Sequence, residues 1–109
     1  MTPLTPQLEA GLRELCRRFR VERLYLFGSA TENRFAPQRS DFDFLVALEN
    51  APASEYSDNF LGLANALEQL LGRRVDLVTE DSIRNPYFKE AVMASRQIVY
   101  DARQQEASV

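Results

Sequence analysis

Apolar residues recur in the first twenty positions at Leu8, Leu12, Leu15 and Phe19, at intervals of 4, 3 and 4. That period places them on one stripe of an α-helix, and Thr5-Pro6 ahead of them reads as a cap followed by a proline in the first turn. Arg13, Arg17, Arg18 and Arg20 then fall largely on the solvated side. The period next changes to two. Val21 to Phe27 predicts a short strand that stops at Gly28-Ser29, and the polar segment Ala30 to Ser40 holds at most a short helix and a turn at Pro37. A second strand is expected from Asp41 to Leu48, followed by a loop over Asn50 to Ala53. From Ser54 onward Tyr56, Phe60, Leu63, Leu67 and Leu70 repeat at helical spacing until Gly72, a residue suited to ending a helix. Arg73 to Thr79 predicts a third strand. Asn85-Pro86 is another cap and proline, opening a helix from Tyr87 to about Ser95, and Gln97 to Tyr100 predicts a fourth strand before a polar tail.

Strands alternating with helices, with no internal repeat, predict an α/β (α+β) sandwich in which a mixed sheet of about four strands packs against helices. Its 109 residues suit one domain: an N-terminal helix over about 1–20, a core over 21–100 and a polar tail over 101–109. A net charge of -3 gives no overall basic footprint, which disfavours general binding to nucleic acid. The chain contains no histidine. Ser-His-Asp and Cys-His systems therefore have no base, zinc loses its commonest ligand, and carboxylates remain for metal chemistry. The lone Cys16 sits among helix-spaced apolar residues and reads as packing, which suits a reducing compartment. The N-terminus has no basic-then-apolar leader and no apolar run approaches membrane-spanning length, so a cytoplasmic location without membrane association is expected.

The candidate chemistry lies where the pattern breaks. Residues two apart in a strand share a face, about 6.6–6.8 Å apart. Asp41 and Asp43 therefore project together, while Phe42, Phe44, Val46 and Leu48 take the opposite, core-facing parity. Two carboxylates on one face invite a cation, and magnesium fits because it prefers carboxylate oxygens and completes its shell with water and substrate phosphates. Asp76 interrupts the apolar run Val75-Asp76-Leu77-Val78, where Asp is depleted. If its strand neighbours the second, it completes a carboxylate triad and can act as a general base. Gly28-Ser29 offers close backbone approach to a phosphate and a hydroxyl. Structural alternatives stand beside each reading: strand-start turn residues for Asp41 and Asp43, an ion pair to Arg73 or Arg74 for Asp76, and a plain helix cap for Ser29.

Taken together, Gly28-Ser29, Asp41-Phe42-Asp43 and Asp76 resemble the nucleotidyltransferase superfamily of DNA polymerase beta, within it the minimal nucleotidyltransferases of prokaryotes. The similarity spans about 21–100 and includes "VDLVTED", "NPYFKEAV" and the closing "IVYD". Where that family commonly carries an arginine and a further glycine after Gly-Ser, this chain reads "GSATENRF". The resemblance implies a polymerase beta-like fold, phosphate binding by Gly28 and Ser29, metal binding by Asp41 and Asp43, and metal binding or acceptor activation by Asp76. It further implies Mg2+ as cofactor, ATP as substrate, and transfer of AMP to a hydroxyl of a partner, a helical HEPN-type toxin for which this chain is the antitoxin. Two other functions are compatible: a catalytically weak module that neutralises a partner by occlusion, and transfer to a small molecule or RNA, which short length and acidic balance disfavour. Assembly with itself or with a partner is left open.

Overall fold

In the computed structural model, which describes residues 5–27 and 42–103, Thr5 caps the first helix by accepting the Leu8 N–H at its Oγ1, at 3.2 Å. Helix α1 (Pro6–Arg18) buries Leu12 and Cys16 completely, as its apolar spacing requires. Arg20 differs from the expectation: it lies past the helix in a left-handed conformation, φ 60°, turning the chain into β1 (Val21–Phe27). Its carbonyl accepts the Glu49 N–H at 2.9 Å and its guanidinium lies within 4.0 Å of Glu49 and Glu55, which hold the corner.

The remaining elements are β2 (Phe42–Leu48), α2 (Ala53–Leu71), β3 (Val75–Thr79), a 3₁₀ turn (Glu80–Ser82), α3 (Pro86–Ser95) and β4 (Gln97–Asp101). The third strand starts two residues later than its apolar pattern suggests. Gly72, at φ 65°, ends α2 and bonds back to Glu68, and the Glu68 carboxylate accepts the Val75 N–H at 3.0 Å, leaving Arg73 and Arg74 in the connection. The 3₁₀ turn carries no periodic signal and is absent from the sequence reading. At α3, the Asn85 side chain accepts the N–H groups of Tyr87 and Phe88 at 2.9 and 3.2 Å, making the expected cap.

The four strands form one mixed sheet in the order β3-β2-β1-β4, with β1 antiparallel to β2 and β4, and β2 parallel to β3. One face carries Leu24, Leu26, Phe44, Val46 and Leu77 beneath α1 and α2. The two helices approach closely through glycine. A methyl on Gly62 would lie 2.6 Å from Cε1 of Phe19, and one on Gly11 would lie 2.8 Å from a Leu70 methyl. The opposite face, which carries the carboxylates of Asp43 and Asp76, also has apolar packing. Phe27, Leu45 and Val92 form a second, smaller core there, flanked by Tyr25, Val78, Ile83 and Met93, because α3 covers part of it.

Candidate functional site

Asp43 is the second residue of β2 and pairs across to Phe27 of β1 on one side and to Asp76 of β3 on the other. Register partners on adjacent strands share a face, with backbones about 4.8 Å apart. The two carboxylates therefore stand side by side on the face opposite the main core. Asp43 is half-buried and Asp76 exposed, so this acidic pair sits at an opening rather than inside the protein. Among the described residues Asp76 has no ion-pair partner, so its expected structural competitors, Arg73 and Arg74, do not neutralise it. The Phe42 N–H donates to the Arg74 carbonyl at 3.2 Å, continuing the strand pairing to the start of β2 and fixing the register beside the acids.

Of the sequence-derived candidates, Asp43 and Asp76 are brought together by the parallel pairing of β2 and β3. Gly28, Ser29 and Asp41 lie outside the described residues. In the chain, Gly28 directly follows Phe27 and Asp41 directly precedes Phe42, the residues that end β1 and begin β2 at the same end of the sheet. No cluster of three metal-ligating side chains occurs among the described residues, which include only two of the three candidate carboxylates.

Two neighbouring features are not evident from the sequence pattern. Phe88 of α3 meets the buried Phe27 edge-on, with ring centroids 6.2 Å apart, while remaining 48% exposed, so an aromatic surface adjoins Asp43. Its only sequence signal is position, just inside a capped helix, which does not reveal the face it presents. Further along the same face, a cleft of about 460 Å³ is bordered by Arg23, Arg96 and Arg103. These come from β1, the end of α3 and the residue pair after β4, and only the folded sheet unites them.

The chemistry of the pair is that of oxygen ligands for a hard cation, with an exposed carboxylate available to accept a proton. A sequence model of the nucleotidyltransferase domain matches residues 8–99, most of the chain. The chain belongs to this nucleotidyltransferase family. It is 38% identical over 93 residues to the protein adenylyltransferase MntA of Thermococcus cleftensis, covering 85% of this chain and 87% of that relative. A solved structure assigned to the minimal nucleotidyltransferases shares 34% identity at a TM-score of 0.57, covering 84% of this chain and 87% of the other. The fold also matches the Shewanella oneidensis complex of an MNT antitoxin with a tri-AMPylated HEPN toxin, at 21% identity and a TM-score of 0.60, over 93% of this chain and 76% of that one. The nucleotidyltransferase therefore has the four-stranded mixed sheet and helices expected for its family, with no described helix long and apolar enough to cross a membrane.

Proposed function

We propose that this nucleotidyltransferase moves AMP from ATP to a hydroxyl of a partner protein of the HEPN toxin class, in the cytoplasm, with Asp41, Asp43 and Asp76 as its catalytic carboxylates. The observation that carries the reading is the register of Asp43 with Asp76: two acids of one face on adjacent strands, one half-buried and one open to an incoming group. The names borne by its relatives, a protein adenylyltransferase and an antitoxin beside an AMPylated toxin, supply the nucleotide and the class of acceptor.

The donor set fits Mg2+: adjacent carboxylate oxygens at an open site, with no histidine or thiolate to favour a softer metal. Asp41, Asp43 and Asp76 would hold it, and when bound it would offset the negative charge of the phosphates. Gly28 and Ser29 bind the phosphates through backbone N–H groups and the serine hydroxyl. Asp76 accepts the proton of the acceptor hydroxyl, whose oxygen forms a bond to the α-phosphorus. The bond from that phosphorus to the bridging oxygen of the β-phosphate breaks, and pyrophosphate leaves with the electron pair. Asp43, the less exposed of the two, would serve as a ligand of the cation.

Intact-mass spectrometry of a HEPN partner after incubation with the wild-type chain, ATP and Mg2+ tests the reading. Addition of AMP mass is expected, and its loss in Asp76→Asn. Neutralisation of the partner with no added mass from any natural nucleotide would replace the reading with simple occlusion.

A further inference from the structure

The cleft beyond α3 has a composition that the transfer reaction does not use. Arg23 and Arg96 are half-buried and Arg103 is exposed, and none of the three forms an ion pair with a described residue. Arg96 is held by stacking over the Tyr25 ring, 4.4 Å from its centroid, which fixes its guanidinium at the wall. Two acids also line the cleft: Glu80, which lies 3.9 Å from Lys89, and Asp101, the register partner of Arg23, which accepts the Arg103 backbone N–H at 2.9 Å. Three guanidiniums against two carboxylates, one of them beside Lys89, leave an excess of positive charge, and its partly desolvated members favour an anion.

The location narrows the anion. Ala47 lines the cleft and lies four residues along β2 from Asp43 on the same face, about 13 Å away. Leu45, between them, is buried beneath Val92 of α3. A triphosphate gripped at Asp43 is too short to span this interval and cross α3 with its phosphates alone. A macromolecular acceptor does span it. On the intervening helix Tyr87 is 84% exposed and Phe88 48% exposed, and exposed aromatics next to arginine are the residue types enriched in protein interfaces.

We propose that the Arg23–Arg96–Arg103 cleft is a docking site for an acidic segment of the protein acceptor, set about 13 Å along β2 from Asp43. This deepens the proposed function, since it rests on the acceptor being a protein. It makes the cleft a specificity device: its arginines select and orient the acceptor and take no part in the transfer.

A fluorescein-labelled hexaglutamate peptide, read by fluorescence anisotropy on the full chain, probes the cleft without requiring turnover. Arg23→Gln with Arg103→Gln should weaken peptide binding by about tenfold or more, as loss of charge-assisted contacts does. The matched pair Arg17→Gln with Arg18→Gln, exposed on α1, should leave it unchanged. Equal weakening by both pairs would reduce the effect to net charge and overturn the proposal, as would no measurable binding to the wild type. Inorganic phosphate or pyrophosphate displacing the peptide at far lower concentrations than free hexaglutamate would make this a phosphate site and equally overturn it. AMP transfer, followed separately by mass, distinguishes failure of the cleft from failure of the enzyme.

Discussion

Replacing Asp76 by Asn separates a catalytic carboxylate from a structural one, because the two roles give stability changes of opposite sign. Asp76 faces Asp43 across one strand spacing and is exposed, with no ion-pair partner among the described residues. Two unit charges at the backbone spacing of about 4.8 Å repel by about 0.9 kcal/mol in a water-like dielectric, an upper bound here because Asp43 has a further partner. Screening at physiological salt, where the Debye length is about 8 Å, cuts this to about 0.5 kcal/mol. Asn keeps the size and removes the charge, so the metal-free variant should melt higher than wild type, by at most about 2–3 °C on the usual scaling for a domain of this size. Magnesium should stabilise the wild type through mass action on the folded state and stabilise the variant less. Transfer to a partner hydroxyl should fall by about 10²- to 10⁴-fold, the contribution of a positioned base. Scanning fluorimetry in EDTA and in Mg2+, with intact-mass measurement of transfer, reads all three. A lower melting temperature in EDTA would show that the carboxylate supports the fold, and would refute the reasoning.

Further expectations concern the rest of the site and the core. Asp41→Asn with Asp43→Asn should abolish Mg2+-dependent ATP binding in calorimetry while leaving the circular dichroism spectrum unchanged. Gly62→Ala gains about 1 kcal/mol of helix propensity but sets a methyl 2.6 Å from the Phe19 ring; overpacking of about 1–3 kcal/mol should win, lowering the urea midpoint. Burial pushes the Cys16 thiol from 9.0 up to about 12. The unfolded thiol ionises first, so the stabilisation is intact below about pH 9 and is lost as pH rises towards 12, at about 1.4 kcal/mol per pH unit, while the native thiol resists disulfide reagents.

Much of the fold is written in local periodicity. The leucine stripe of α2 and the two cap-plus-proline starts set their helices because packing and capping act within a few residues. The interruption of an apolar strand by Asp76 likewise marks a residue that the core cannot explain. What sequence could not supply was juxtaposition. That Asp43 and Asp76 are register partners depends on β3 lying parallel beside β2, an arrangement made by the length and path of α2. Leu45 was readable as apolar, but its cover, Val92, is nearly fifty positions away. The arginine cleft is the extreme case, since Arg23 and Arg103 meet only after β4 has paired with β1.

That last pairing also sets an order of events in folding. The three strands β1, β2 and β3, and both helices over the main core, all precede Gln97 in the chain. Until β4 arrives, β1 is an open margin whose unpaired amides and carbonyls can template intermolecular strand addition. Closing it joins Arg23 to Asp101 and brings Tyr100, 5% exposed, into the main core. The acidic pair on β2 and β3 does not depend on β4 and can take shape before that strand docks, in a chain still vulnerable to aggregation, whereas the cleft that includes Arg103 cannot. A chain that bound its acceptor through that cleft would engage it only once its own last strand was in place.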